Sequence, residues 1–339
     1  MRIIFFTDLH LGDNDGWREG WQSALHEIRT LDPDVLICGG DVGTDDTIGD
    51  TDLWLQALRA EIKMPVYFCA GNHEIDTGFY NAERSTGSLN QSGNVGGAHF
   101  IILDCIQATP PAANLPHKWY GAIDDAQFDW LCHDLDQVPS ETPLILITHI
   151  PLKSTFPLRH DTPQDDKYPF NTVRATDAER ILHALQPYKK AVCLSGHLHE
   201  NERQHSGAVQ LLNTAAIAGN WWRQGGESYN CDGTPQGFRV LDVESNGSIV
   251  TFYRALNPKQ QREIAWYKSR DGTAFLNVQD GSAQTRVVLN GEDLAYVDPA
   301  AAPGEKRPAH LWALPRGSEK SSYEVTLYFE DGRIVREDV

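Results

Sequence analysis

Asp34-Val-Leu-Ile-Cys-Gly-Gly-Asp-Val-Gly43 is the stretch from which the fold is read. A short apolar run, Val35 to Cys38, stops at Gly39-Gly40-Asp41. A buried strand that delivers a functional side chain to the edge of a sheet has this pattern. Glycine has no Cβ, so the backbone can turn sharply there and another group can approach closely. Asp41 is expected on a rigid element, facing a cleft and bridging two metal ions. Taken alone it reads more readily as a solvated turn aspartate, so the other strand ends must decide.

Working outward, residues 2–6 form a first strand, followed at once by Thr7-Asp8-Leu9-His10. Trp17, Trp21, Leu25, Ile28 and Leu31 fall on one helical face. A second helix runs through Trp54 to Leu58, with Thr51 or Asp52 as its cap. Pro65 opens a third strand, Val66 to Cys69, ending in Ala70-Gly71-Asn72-His73-Glu74. Strand, helix, strand, helix, strand predicts an α/β sheet with ligands gathered at the strand ends. Thr77 to Gly97 reads as a loop and residues 98–104 as a strand. Asp124 starts a helix with Gln127 at the reciprocal capping position, and Phe128, Leu131, Leu135 and Val138 on one face. Leu144 to Ile147 is a buried strand ending in Thr148-His149. Thr176 and Glu179 form a capping box for a helix carrying Ile181, Leu182 and Leu185. Strand 191–194 then delivers Ser195-Gly196-His197-Leu198-His199. Strands follow at 208–213, 237–243 and 248–254, the last two joined by Asn246-Gly247. Asn257-Pro258-Lys259-Gln260 is the expected linker, dividing a domain of residues 1–256 from a small β-rich domain or extension over 261–339. There Tyr323, Val325, Leu327 and Phe329 alternate as a half-buried strand requires.

Five strand ends therefore carry candidate ligands: Asp8 with His10, Asp41, Asn72 with His73, His149, and His197 with His199. Carboxylate, amide and imidazole together suit borderline first-row metals and need no cysteine. Asp8 and His10 lie two apart, so in an extended segment both face one side, and the same holds for His197 and His199. Seven ligands close two sites only if one bridges, and a carboxylate such as Asp41 is suited to that.

At these positions the chain resembles the calcineurin-like metallophosphoesterase superfamily. Asp8-x-His10, Gly40-Asp41, Gly71-Asn72-His73-Glu74, His149 and Gly196-His197-x-His199 match its five motifs in order, over roughly residues 1–255. Asn220-Trp221-Trp222 through Gly237-Phe238 is similar to a C-terminal segment of some bacterial members. The resemblance implies a four-layer α/β/β/α sandwich. It implies that Asp8, His10, Asp41 and His199 bind one metal, and Asp41, Asn72, His149 and His197 the other. His73 would stand at the scissile phosphate as the catalytic histidine. No tyrosine follows Gly40-Asp41, unlike the purple acid phosphatase branch, so no charge-transfer colour is expected. Two divalent or trivalent ions, Mn, Fe or Zn, about 3.5–4 Å apart would activate a shared water for in-line attack on a phosphate ester. The expected activity is phosphodiesterase on a small or nucleotide-like substrate. The alternatives are a phosphomonoesterase acting as a Ser/Thr protein phosphatase and, more remotely, a non-catalytic scaffold.

Composition sets limits. The chain has 339 residues and a net charge of −18. Such a surface repels nucleic-acid phosphates, which disfavours broad DNA or RNA binding. The opening Met-Arg-Ile-Ile-Phe-Phe is too short for a signal peptide or a membrane span. The six cysteines lack metal-type spacing and read mostly as buried hydrophobes, so a reduced cytoplasmic protein without membrane contact is expected. The C-terminal β region is left two roles, homodimer contact or substrate capping. Lys153, Arg159, His160 and Lys167 either contact substrate phosphate or belong to a solvated loop. Trp17 and Trp21 read as core and His99 as structural, whereas Trp221 and Trp222 either pack the β region or stack on a leaving group. Asp13 to Gly16 reads as a polar turn rather than a calcium loop, and Asp76 either orients an imidazole or sits in a surface turn.

Overall fold

The computed structural model describes residues 1–12, 17–44, 50–76, 89–109, 118–159, 172–220, 229–301, 306–315 and 323–338. Two sheets pack face to face. The first contains β1 (Arg2–Phe6), β2 (Val35–Cys38), β3 (Val66–Phe68), β12 (Gly237–Val243) and β13 (Ile249–Ala255), in the order β13-β12-β1-β2-β3. Its β1, β2 and β3 are parallel. The second contains β4 (Gln91–Val95), β5 (Ala98–Ile102), β8 (Leu144–Ile147), β9 (Ala191–Ser195), β10 (Glu202–Ser206) and β11 (Val209–Asn213), in the order β10-β11-β9-β8-β5-β4. Here β5, β8 and β9 are parallel.

The period of two along each buried strand fixes the layers. Ile3, Phe5, Val35 and Ile37 of the first sheet share one apolar cluster with Phe100, Ile102, Ile145, Ile147 and Leu194 of the second. The alternate residues, Ile4, Phe6, Leu36 and Cys38, join Trp21, Leu25 and Ile28 of α1 (Trp17–Thr30) in the outer core. On the other side Leu144 and Leu146 meet Leu131 and Leu135 of α4 (Asp125–Leu135) and Ile181 and Leu182 of α6 (Ala178–Leu185). The result is the four-layer α/β/β/α sandwich, with the C-terminal ends of β1, β2, β3, β8 and β9 opening on one rim.

Several local expectations change. Helix α2 spans Asp50–Glu61, so Thr51 and Asp52 lie inside its first turn instead of capping it. Asp124 does cap α4, accepting from the Gln127 N–H at 2.7 Å. The Gln127 amide does not reciprocate; it bonds both the N–H and the carbonyl of Asp104, each at 2.8 Å. The Thr176–Glu179 box does not form. The N-cap of α6 is Asp177, whose carboxylate accepts from the Ile123 N–H, while Glu179 faces Lys153 at 3.4 Å. Strand β10 had no signal, because Glu-Arg-Gln-His-Ser offers no apolar run and gains its place by pairing with β11.

Residues beyond the short 3₁₀ turn at Pro258–Gln260 build two further four-stranded sheets. One runs β14 (Ile264–Lys268), β15 (Ala274–Val278), β19 (Leu311–Ala313), β18 (Ala295–Tyr296). The other runs β17 (Glu292–Asp293), β16 (Arg286–Leu289), β20 (Glu324–Tyr328), β21 (Ile334–Asp338). Leu276, Val278, Val287, Trp312, Val325 and Leu327 form their core. Asp280 fastens them to the sandwich, accepting from Arg203 at 2.9 Å, Arg239 at 2.8 Å and Arg333 at 3.2 Å. Burial pushes the Asp280 carboxyl up, but the guanidinium groups outweigh it and hold it down at about 2.

Candidate metal centre

The rim is held together by backbone before any side chain is considered. The loop after β1 is zipped to the loop after β2. Asp8 N–H donates to the Gly40 carbonyl at 3.0 Å, Leu9 and His10 N–H to that of Asp41 at 2.8 and 3.1 Å, and Leu11 N–H to that of Val42 at 2.8 Å. Gly196 N–H donates to the His149 carbonyl at 3.0 Å in the second sheet. The residues so placed are strained: φ is 55° at Asp8, 47° at His10, 52° at Asp41, 71° at His197 and 49° at His199. Non-glycine residues rarely enter this left-handed region, and clusters of them mark functional sites. The extended geometry expected for the Asp8/His10 and His197/His199 pairs is therefore replaced by turns, with Leu9 and Leu198 buried between the paired ligands.

Three groups of donors converge: Asp8 with His10 and His199, Asp41 with His149 and His197, and His10 with Asp41 and His73. Within each group the donor atoms lie within 4.8 Å of one another. The Nε2 atoms of His10 and His199 are 2.9 Å apart, and Asp8 Oδ1 lies 3.3 Å from the latter. His149 Nε2 lies 3.1 Å from Asp41 Oδ2 and 3.2 Å from Asn72 Oδ1. Each aspartate divides its oxygens. Asp8 Oδ2 accepts from the Thr7 hydroxyl at 2.7 Å and the His197 N–H at 2.9 Å, while Oδ1, 3.2 Å from the same N–H, faces the imidazoles. Asp41 Oδ1 accepts from the His73 N–H at 2.9 Å, leaving Oδ2 toward His149. The imidazole tautomers follow from carbonyl partners, which can only accept. His149 Nδ1–H donates to Gly39 at 2.8 Å and His199 Nδ1–H to Gly219 at 3.0 Å, so each ring in its neutral form offers Nε2. His197 Nε2–H donates to Thr172 at 2.7 Å, so it offers Nδ1. Fixing a ring nitrogen in this way is how second partners orient metal-binding histidines.

Asp8 and His149 are fully buried and Asp41 is 2% exposed, while His73, His197 and His199 are half-buried along the open side. Burial pushes both carboxyls up, but His199 at Asp8 and His149 at Asp41 outweigh it and hold them below the usual range. Burial pushes His149 down, and the Asp41 charge reverses this and lifts it to about 10. His197 is lowered to about 4 by burial and by the charge on His149. The field that keeps a proton on His149 between two carboxylates is the field a bound cation would feel. Hard carboxylate oxygens, an amide oxygen and oriented imidazoles, all buried together, fit a pair of first-row metal ions.

All seven candidate ligands, Asp8, His10, Asp41, Asn72, His149, His197 and His199, and the candidate catalytic His73, thus meet on one rim. His73 lies with its ring 4.9 Å from that of His10, and its donor atoms are close enough to Asp41 and His10 to reach an ion themselves. Glu74 is a further residue of the site. It is fully buried and clamps the bridge: Oε2 accepts from Asp41 N–H at 3.0 Å and Gly71 N–H at 2.6 Å, and Oε1 from Val42 N–H at 2.9 Å. Its signal was the charged end of Gly71-Asn72-His73-Glu74. Gly40 sits at φ 104°, and a Cβ there would lie 2.7 Å from Gly71 N and 2.8 Å from His149 Nδ1. The glycine makes room for its protein neighbours. Arg159 neither meets solvent nor points at the centre; it is fully buried and paired with Glu200. His99 is structural as expected, held by Asp134 at 2.8 Å and Asn94 at 2.9 Å. Asp13 to Gly16, His160, Lys167, Trp221, Trp222 and the Asp76 side chain lie outside the described residues.

This rim, on this fold, defines a metal-dependent hydrolase of phosphoester bonds. The chain belongs to the calcineurin-like phosphoesterase family, whose sequence profile matches residues 1–201. It is similar to the 3',5'-cyclic adenosine monophosphate phosphodiesterase CpdA of Pseudomonas aeruginosa, with 22% identity over 259 residues, 74% of this chain and 88% of the relative. The fold is shared with a dimetal phosphatase from Danio rerio, at a TM-score of 0.52 and 14% identity over 75% of this chain and 98% of that one. It is also shared with GAP50, the anchor in the inner membrane complex of Plasmodium, at a TM-score of 0.50 and 16% identity over 77% and 86%. Among the described residues no helix is long and apolar enough to cross a membrane.

Proposed function

We propose that Asp8, His10, Asp41 and His199 hold one metal ion, that Asp41, Asn72, His149 and His197 hold a second, and that the enzyme prefers small, nucleotide-like phosphodiesters. One observation carries the reading. Asp41 stands between the two histidine groups with one oxygen fixed by the His73 N–H and the other directed at His149. The likeness to CpdA supports the diester preference. When bound, Mn, Fe or Zn would supply Lewis-acid charge for the phosphate oxygens and an activated water. The chain's own residues do the rest. Asp8 and Asp41 hold the cations, the carbonyls of Gly39, Gly219 and Thr172 keep the imidazoles in the ligating tautomer, and half-buried His73 stands at the mouth to carry a proton to the leaving oxygen. A protein that had retained only the fold as a scaffold would gain nothing from left-handed strain at five donor positions. We further assign residues 1–256 as the catalytic domain and 261–339 as a separate β-rich unit. The six free cysteines support a reducing cytoplasm.

The test combines metal content with turnover on bis-p-nitrophenyl phosphate, p-nitrophenyl phosphate and cyclic nucleotides under Mn, Fe and Zn. Asp41→Asn is expected to lose metal and activity together. His73→Ala is expected to keep both ions and lose roughly 10²–10⁴ in rate. Undiminished turnover in both variants would refute the assignment, and a monoester preference would move the substrate to the phosphatase alternative.

A further inference from the structure

Beside the metal groups lies a cavity of about 380 Å³ whose lining includes Phe156, Val173, His197, Leu198, His199 and Cys231. Among the described residues no lysine, arginine, aspartate or glutamate lines it. The volume lies at the small end of ligand sites, about 300–1,000 Å³, enough for one ring system rather than a peptide.

The Phe156 wall is held firmly. Phe156 opens the single turn of α5 (Phe156–Arg159). Before it, the Ser154 hydroxyl donates to Glu202 at 2.6 Å and the Thr155 N–H to the same carboxylate at 2.9 Å. After it, Arg159 donates to the Thr155 hydroxyl at 2.8 Å and the Arg307 carbonyl at 2.8 Å, and pairs with Glu200. Glu200 directly follows His199, so one buried ion pair fixes the aromatic wall relative to a candidate ligand. Phe156 itself is half-buried and faces the cavity.

We propose that this cavity seats an uncharged planar ring carried by the phosphoester, a nucleobase or an aryl group, and that Phe156 selects it by stacking. The proposal rests on the two-metal reading above. A neutral, partly apolar pocket next to cation-holding residues separates the two halves of such a substrate, phosphate to the metals and ring to Phe156. A charged peptide would find no oppositely charged side chain among the described lining residues.

Binding separates the two readings. Phenylphosphonate and methylphosphonate carry the same anionic group, resist hydrolysis and differ in the ring. Titrated into the Mn-loaded protein, phenylphosphonate should bind at least ~10-fold more tightly, and Phe156→Ala should remove that advantage while leaving methylphosphonate unchanged. Phe156→Tyr should restore it. Equal affinity of the two ligands in the parent protein, or an unchanged preference in Phe156→Ala, overturns the ring pocket and leaves the metal centre standing. Failure of both ligands to bind the Mn-loaded parent overturns both.

Discussion

The two oxygens of Asp41 face different partners, and that division depends on a residue that touches neither side chain. Glu74 accepts three backbone N–H groups, including that of Asp41 itself. Glu74→Gln would set an amide N–H against a backbone N–H and leave buried donors unsatisfied, at about 1–3 kcal/mol. The expected outcome is a folded protein with metal affinity reduced roughly 10–100-fold, read from Mn titration, because outer partners of ligands carry that share of binding. Metal affinity equal to the parent would show that the clamp is dispensable. The carboxylate is buried and pushed up to about 7, by burial first and by the charge on Asp41 second. The ligands themselves were legible in sequence because each is the first polar residue after an apolar run. Glu74 was not, since its partners arrive from Asp41, Val42 and Gly71, two of them more than thirty positions away.

At the scale of elements, the legible parts were those decided by burial. The runs Val35 to Cys38 and Leu144 to Ile147 could only be interior strands, and they are. Elements decided by polar pairing were not: β10 is polar throughout, and the Thr176–Glu179 box lost to Asp177, whose partner lies more than fifty positions away. Arg159 belongs to the same class, because Glu200 is 41 residues distant. Its helix supplies a prediction. Arg159→Leu leaves the Glu200 carboxylate buried without its partner and should cost about 3–5 kcal/mol in chemical denaturation. Arg159→Met combined with Glu200→Leu should recover most of that loss, since buried ion pairs are often replaceable by apolar residues of similar volume. A double variant no more stable than the single one would place the loss elsewhere.

For the whole molecule, the join between the sandwich and the C-terminal sheets contains a buried ionic cluster. Asp280 neutralises Arg203 and Arg239, both buried, and shares Arg333 with Glu263. The sign of its pH dependence follows from its depressed carboxyl. Its contribution is fully present above the unfolded value near 4 and is lost as pH falls toward about 2. Denaturation midpoints should therefore drop between pH 4 and 2, and Asp280→Asn should be less stable at pH 6 with a flatter acid limb. An acid limb identical in the variant would remove Asp280 from the account. Truncation after Asn257 would leave two guanidinium groups facing a missing carboxylate, so the shortened chain should lose solubility as well as any function of the tail. The left-handed residues of the rim have a consequence for selection. Each non-glycine residue held there costs about 1–2 kcal/mol that glycine would not, and five of them carry candidate ligands. A library screened for heat resistance alone should accumulate glycine at positions 8, 10, 41, 197 and 199, yielding ever hardier and inert descendants. Their retention in any lineage is a record that catalysis, not survival of the fold, set the sequence.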